Sequence, residues 1–332
     1  MRRHKVVTAA MSTGLLLATA ACGTTGGGAA ESGEPNRVEV VCHNSPGGGS
    51  DVYTRGILKI MYDEKVVDAN WPVRNVPAGD GIGAMAYLAG KSGQDNEIGQ
   101  MTPTWLVTPM TVEDSAVSVD KLTPIAGLSN EPMVVAARPD TPYKDFSDFV
   151  EAAKDKPGEL IQTGGSTTAS DSLAGRALQK STGAEWKFLS FEDTGSRITA
   201  LLRGDADIML GSPGDFGEQV AAGKLKVITV LGDEKLSMFP DAPTAADQDI
   251  ALDDLPLQFR GIVGAPNMSD DAIAFYDKAF KEMLETDAWK KYAEENGLVA
   301  DYRDNKDFAA YLDQQRDVLG GLLDQLGLRK DR

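Results

Sequence analysis

Two strand-to-helix junctions rich in glycine constrain the fold of this chain more than any other feature of its sequence. In the first, the apolar run 38–42 leads into Ser-Pro-Gly-Gly-Gly-Ser-Asp at 45–51. In the second, the run 72–76 leads into Pro-Ala-Gly-Asp-Gly-Ile-Gly at 77–83. A strand that ends in glycines and opens a helix directs bare backbone N–H groups and the positive end of the helix dipole at one spot. The pair therefore predicts an α/β fold with a site suited to a small anion.

The same alternation of strand and helix continues along the chain and then restarts. Apolar runs at 124–128 and 133–137 predict strands, and a second series of strands is predicted at 160–163, 186–189 and 206–210, each ending in a polar turn that contains glycine. Such alternation is typical of α/β proteins with mostly parallel strands. Ligands of open α/β sheets bind outside the carboxyl ends of the strands, which are the positions of these turns.

The length of the chain favours two lobes joined by a hinge. A folded part of about 300 residues exceeds one ordinary hydrophobic core. We expect residues 37–135 plus 258–332 to form lobe I and residues 136–257 to form lobe II, because the strand predicted at 258–266 has no helix partner of its own. Two crossing strands between lobes make a hinge, and the cleft beside the hinge gives a clamshell.

The first 36 residues are predicted to lie outside the fold. Residues 1–22 combine a basic start, an apolar stretch and small residues before Cys22, which is the pattern of a lipoprotein signal peptide. A plain signal peptide with an incidental cysteine remains the alternative. Residues 23–36 are small and polar and predict a flexible tether. A lipid on Cys22 would hold the protein outside the cell, on the outer face of the cytoplasmic membrane.

Charge and residue usage exclude several classes of function. The formal net charge is −17, with no basic patch, so nucleic acid is not an expected partner. An acidic protein repels anions at long range, so an anion must be held by local groups. The sequence has no nucleotide-binding fingerprint, no metal-ligand spacing and no nucleophile–base motif, and we expect no cofactor, no metal and no enzymatic activity.

The candidate ligand-binding residues lie in five turns. They are Pro46, Gly47, Gly48, Gly49, Ser50 and Asp51 in the first, Ala78, Gly79, Asp80 and Gly81 in the second, and Gly165, Ser166, Thr167, Asp193, Thr194 and Ser212 in the turns of lobe II. His43 could line the same cleft. Each turn could instead be only a tight helix entry, and Asp80 and Asp193 could only cap helices, because a carboxylate beside an anionic ligand is repulsive.

A set of short motifs, taken in order, resembles a known family. Besides the two glycine turns, the set comprises Leu-Thr-Pro-Ile at 122–125, Gly-Gly-Ser at 164–166, Leu-Arg-Gly-Asp-Ala-Asp-Ile-Met at 202–209, Ala-Gly-Lys-Leu-Lys-Val-Ile at 222–228 and Phe-Pro-Asp-Ala-Pro-Thr at 239–244. Together these motifs resemble the extracytoplasmic solute receptors of tripartite tricarboxylate transporters, the Bug or TctC-like proteins. The second turn departs from the family pattern, because it is one residue shorter and carries Asp80.

The resemblance implies a type II periplasmic-binding-protein fold and the capture of a small organic anion, typically a carboxylate. It further implies that the two glycine turns of lobe I hold one end of the ligand through backbone amides and waters, while the turns of lobe II close on the other end. The partners it implies are membrane permease subunits, and we expect the receptor to be a monomer. Two alternatives remain, a sensor that feeds a membrane kinase and a secreted enzyme on a similar scaffold.

Overall fold

The computed structural model describes residues 35–232, 234–250, 255, 256 and 258–330. The predicted signal peptide at 1–22, its lipidation site Cys22 and residues 23–34 of the predicted tether lie outside the described residues. Among the helices of the described part, none is long and apolar enough to cross a membrane.

Strands and helices alternate along the chain. The first part contains β1 (Glu39–Cys42), α1 (Gly49–Asp63), β2 (Val73–Asn75), α2 (Ile82–Ala89), β3 (Glu97–Met101), α3 (Thr104–Met110), β4 (Thr123–Glu131) and β5 (Met133–Ala137). The middle part contains α4 (Phe146–Asp155), β6 (Ile161–Gly164), α5 (Ser170–Thr182), β7 (Lys187–Ser190), α6 (Thr194–Arg203), β8 (Ile208–Gly211), α7 (Pro213–Ala221) and β9 (Lys226–Leu231). The last part contains β10 (Gln258–Gly264), α8 (Asp270–Glu285), α9 (Asp287–Asn296), β11 (Val299–Arg303) and α10 (Asn305–Gln325).

Two mixed sheets divide the protein into two lobes. The strand order is β11-β4-β10-β3-β1-β2 in the first sheet and β7-β6-β8-β5-β9 in the second. The two-lobed α/β fold predicted from the sequence is confirmed. The expectation of mostly parallel strands is wrong, because every strand pair that involves β4, β5 or β10 is antiparallel. The chain leaves the first sheet along β4 and returns along the neighbouring β10, so these two strands run in opposite directions.

The two crossings between the lobes lie side by side. Only Pro132 separates β4 from β5, so the outward crossing is almost one continuous strand. On the return, Gln258 at the start of β10 pairs with Glu131 at the end of β4. Residues 133–135, which the sequence analysis placed in lobe I, pair with strands of the second sheet, so the change of sheet falls at Pro132.

Alternation of side chains across each sheet creates an apolar core on both of its faces. Val40 and Val41 of β1 point to opposite faces, since successive side chains of a strand alternate. One face of the first sheet packs on α1, α8 and α9 through a cluster that includes Ile57, Phe280 and Trp289. The other face packs on α2, α3 and α10 through a cluster that extends into lobe II. Both faces of β1 are therefore covered, which fixes its carboxyl end in place.

Three elements have only weak signals in the sequence. The helix α3 is buried along almost its whole length and contains Pro109, so its sequence shows no amphipathic period. The helix α7 contains two glycines, which lower helix propensity, although Pro213 at its first position follows Ser212 and is a recognised start signal. The strand β11 is half exposed at the edge of the first sheet and lacks a run of apolar residues.

Gly261 and Gly321 form a matched pair for testing the packing of β10. A Cβ atom at Gly261 would overlap Cζ of the Phe308 ring, whereas one at Gly321, on α10, would meet nothing within 4 Å. We expect Gly261→Ala to lower the free energy of unfolding by about 1–3 kcal/mol through overpacking. We expect Gly321→Ala to raise it by about 0.5–1 kcal/mol, because alanine favours the helix. Chemical denaturation measures both, and equal effects of the two substitutions would contradict this description of the packing.

Candidate functional site

A cleft of about 130 Å³ lies between the two sheets, beside the crossing strands. Lobe I lines it with residues that follow β1 and β3 and with two side chains of β10, and lobe II lines it with the turns that precede its helices. The lining residues of lobe I are His43, Asn44, Gly48, Gly49, Ser50, Thr102, Thr104, Gln258 and Arg260. Those of the second sheet and its turns are Met133, Ala169, Ser170, Asp171, Glu192, Thr194, Arg197, Gly211, Ser212 and Asp215.

Helix N-termini from both lobes converge on this cleft. The helix α1 of lobe I begins at Gly49, and α5, α6 and α7 of lobe II begin at Ser170, Thr194 and Pro213, all at or beside its wall. The first N–H groups of a helix have no acceptor within the helix, and they carry a partial positive charge. The cleft is therefore a place where a negatively charged group meets donors from opposite sides.

The first glycine turn uses most of its own amides internally. The Gly47 N–H donates to Oδ2 of Asp51 at 2.9 Å, the Gly48 N–H to the carbonyl of Ser45 at 3.0 Å, and the Ser50 N–H to Oδ1 of Asn44 at 2.9 Å. Among residues 47–50, all of which the structure describes, Gly49 retains an N–H group without a protein acceptor. Bare backbone nitrogens are thus fewer here than the sequence suggests.

The carboxylate of Asp51 stabilises this turn through several hydrogen bonds. It forms an ion pair with Arg55 at 3.0 Å and accepts a hydrogen bond from Nδ2 of Asn75 at 2.8 Å, which links the first turn to the end of β2. Burial alone would raise the pKa of Asp51, but hydrogen bonds from Arg55, the Gly47 amide and Asn75 outweigh burial and lower it. Asp51 is therefore an ionised anchor of the turn and does not line the cleft, and Pro46 is exposed to solvent.

The second glycine turn lies outside the lining of the cleft. Ala78, Gly79, Asp80 and Gly81 are not among the lining residues. The carbonyl of Asp80 accepts a hydrogen bond from Thr108 at 2.9 Å, and its Oδ2 lies 3.3 Å from Oγ1 of Thr168 in lobe II. Asp80 thus joins the two lobes at the edge of the cleft.

In lobe II the structure divides the predicted residues into two groups. Thr194 and Ser212 line the cleft, whereas Gly165, Ser166, Thr167 and Asp193 do not. The Gly165 N–H donates to Oδ2 of Asp171 at 2.7 Å, and Thr167 is exposed. Asp193 caps α6 by accepting hydrogen bonds from N and Oγ of Ser196 at 2.8 and 2.7 Å, which is one of the two roles considered for it.

Two arginines that the sequence analysis did not single out line the cleft from opposite lobes. Arg260 of β10 is buried, pairs with Oε2 of Glu131 at 2.5 and 3.0 Å, and donates from Nη1 to Oγ of Ser50 at 3.1 Å. Arg197 of α6 donates to the carbonyls of Phe191 and Glu192 at 3.1 and 3.2 Å. Arg197 forms no salt bridge with any described residue, so its charge is not neutralised by one. A lone arginine inside the apolar run 258–266 was the signal in the sequence that could have identified Arg260.

Burial and backbone amides near helix starts act in opposite directions on the pKa values of the acidic residues Asp171 and Asp215. Asp171 accepts hydrogen bonds from the amides of Gly165 and Ser172, yet burial is the larger effect and raises its pKa. Burial, together with the nearby Glu131, raises the pKa of Asp215 to about 6. The structure shows no cluster of three metal-ligating side chains within its described part. Local pairs of opposite charge and helix starts therefore set the electrostatics of the cleft.

Comparisons with known proteins point to one family. The model of the tripartite tricarboxylate transporter family receptor, TctC, matches residues 65–328. A UPF0065 protein of Bordetella pertussis is 22% identical over 298 residues, with 89% of this chain and 91% of that protein covered.

Solved structures of low sequence identity share the fold. A protein of Rhodopseudomonas palustris determined with adipate has a TM-score of 0.79 at 16% identity, over 88% of this chain and 98% of that one. MatC from Rhodopseudomonas palustris, determined with bound malate, has a TM-score of 0.75 at 19% identity, over 87% of this chain and 99% of that one.

The ion pair between Glu131 and Arg260 can be tested against a surface pair of the same kind. Replacing Glu131 with Gln leaves a buried guanidinium without its counter-charge, and we expect a loss of about 3–5 kcal/mol in the free energy of unfolding. Glu151→Gln, which breaks the exposed pair with Lys154 on α4, is expected to change it by less than about 1 kcal/mol. Urea denaturation of both variants measures the difference. Similar losses in the two variants would show that Arg260 does not depend on Glu131.

Proposed function

Because the chain belongs to the tripartite tricarboxylate transporter receptor family, we propose that it is an extracytoplasmic receptor that captures a small organic carboxylate between its lobes and delivers it to a membrane permease. The family is one of solute receptors and not of enzymes. In this proposal, a lipid on Cys22 tethers the receptor to the outer face of the cytoplasmic membrane, and the receptor works as a monomer.

One observation carries the proposal of an anionic ligand. Helix N-termini and guanidinium groups from both lobes face the same small cleft, and each kind of group favours a negative charge. Arg197, which forms no salt bridge with a described residue, lies on the lobe II side beside the acidic Asp171 and Asp215. Gly49, with its available N–H, lies on the lobe I side. Two carboxylate groups, or one carboxylate with a polar end, could be held from both sides at once.

The size of the cleft limits the ligand. Its volume is about 130 Å³, which suits a small organic acid. The malate and adipate of the two Rhodopseudomonas palustris structures are acids of this class, which supports the choice.

The proposed ligand contacts are the predicted residues that line the cleft, together with the two arginines. Of the predicted set, these are Gly48, Gly49, Ser50, Thr194 and Ser212. We assign the remaining predicted residues of the turns to their support. A ligand that touches both lobes stabilises the closed arrangement by contacts that the open arrangement lacks, and this difference drives closure around the crossing strands.

Binding of adipate and malate to the full chain tests the ligand class. We expect at least one of the two acids to raise the melting temperature in proportion to the logarithm of its concentration, and 1,6-hexanediol, the neutral counterpart of adipate, to have no effect.

We expect Arg197→Gln to weaken the affinity roughly tenfold or more, since it removes charge-assisted hydrogen bonds. Arg203→Gln, at the exposed far end of the same helix, is the matched control. Equal losses in the two variants, or a shift with the diol alone, would refute the proposal.

Uptake measurements test the delivery step. In cells from which the gene for this chain has been deleted, the uptake of the radiolabelled acid that binds is expected to fall to background. The wild-type gene should restore the uptake, and the gene with Arg197→Gln should restore it only at high external concentration. Unchanged uptake in the deletion strain would show that the receptor does not supply a permease with this acid.

A further inference from the structure

His43 occupies a fixed position in the wall of the cleft. It follows the last residue of β1, only 7% of its surface is exposed, and it lines the cleft. Its Nδ1 accepts a hydrogen bond from Nε1 of Trp105 at 3.0 Å, and the two rings meet edge to face at 6.0 Å with an interplanar angle of 81°. An indole N–H can only donate, so Nδ1 must be the acceptor and the ring proton of neutral His43 must be on Nε2.

The surroundings keep this imidazole neutral. Burial is the main effect, and the positive charge of Arg260 adds to it, so that the pKa of His43 falls to about 3. Arg197, Asp171, Asp215 and Glu192 are the other charged groups that line the cleft. On its other side the imidazole packs against the fully buried Trp105, which carries no charge.

The Nε2–H group of His43 has no acceptor within the described part of the protein. Nε2 of His43 is not one of the fully buried polar atoms that lack a hydrogen-bond partner, so it remains accessible from the cleft. Buried donors in folded proteins are almost always paired, with protein groups, with water or with a ligand. This donor therefore points to a hydrogen-bond acceptor that enters the cleft.

We propose that His43 selects the solute, with its Nε2–H donating to an acceptor oxygen of the bound molecule and with Trp105 as the positioning residue that fixes the tautomer. The identity of the solute as an organic acid rests on the function proposed above. At this point of the cleft the solute must present an acceptor, such as a carboxylate, carbonyl or hydroxyl oxygen, because an ammonium group would place donor against donor.

The second glycine turn acquires a role in this arrangement. A Cβ atom at Gly81, whose φ is +98°, would lie 3.1 Å from Cδ1 and 3.3 Å from Nε1 of Trp105. A Cβ atom at Gly99 on β3 would lie 3.2 Å from the far edge of the same indole. Both glycines leave room for Trp105, so the second turn acts on the ligand through Trp105 and His43 rather than by direct contact.

Nitrogen NMR of the mature chain tests the tautomer without any ligand. Of the two histidines in the sequence, only His43 remains once the predicted signal peptide with His4 is removed, so ¹⁵N-histidine labelling of the mature chain gives one ring system. We expect His43 to show a pyridine-type Nδ1 and a protonated Nε2, with no titration between about pH 5 and 8. Trp105→Phe should mix the tautomers of His43. Trp186→Phe, which removes a comparable indole hydrogen bond to Gln162 in lobe II, should leave them unchanged. Titration of His43 between about pH 5 and 8, or a proton on its Nδ1, would overturn the proposal.

Affinity measurements test the contact with the solute. For whichever of adipate and malate binds the wild-type chain, we expect His43→Leu to weaken the affinity roughly three- to tenfold. His43→Gln, whose amide can supply a donor near the position of Nε2, should recover most of the loss. Wild-type affinity in His43→Leu would overturn this inference and leave the proposed function intact. Failure of the wild-type chain to bind either acid would instead count against the proposed function, while the NMR result would still decide the tautomer.

Discussion

The buried ion pair between Glu131 and Arg260 is the interaction on which the rest of the structure depends. Glu131 is the last residue of β4 before the chain leaves lobe I, and Arg260 lies on β10, just after the chain has returned. The pair therefore ties together the two strands that cross between the lobes, and the free nitrogen of the guanidinium reaches Ser50 at the start of α1. Desolvation makes an isolated buried guanidinium costly, so its position is determined by Glu131. The crossing strands and the floor of the cleft are thus fixed by the same contact.

The donors of the cleft are of two kinds, the backbone amides of the glycine turns and the groups supplied by helix starts and side chains. The glycine turns shape the backbone, but Asp51, Asn44 and Asp171 already accept hydrogen bonds from the amides of Gly47, Ser50 and Gly165. The other donors that line the cleft include helix starts, two arginines, one neutral imidazole and several hydroxyl groups. Glu131 pairs with Arg260, whereas Arg197 forms no salt bridge in the described part of the chain, although the acidic Asp171, Glu192 and Asp215 line the same side of the cleft.

Local patterns in the sequence predicted the lobes, most of the strands and the first glycine turn, because each depends on residues close together in the chain. The strand directions at the crossings, by contrast, follow from which strands become neighbours, and the sequence does not record that. The same limit applies to the site. Gly48, Gly49 and Ser50, which line the cleft, could be predicted together because they lie in one turn, whereas Arg260 meets Ser50 across 210 positions of sequence. His43 was recognised as a possible wall residue, but its tautomer depends on Trp105, which comes from another element.

A crystal structure of the full chain with the acid that binds tests the central claim most directly. We expect the acid to lie between the lobes, with a carboxylate near the Gly49 N–H and Nε2 of His43 and its other end facing Arg197. A second cavity, of about 290 Å³, lies on the far side of Trp105 between α3 and α10. Density for the acid in that cavity, with only water between the lobes, would contradict the assignment of the interlobe cleft as the binding site.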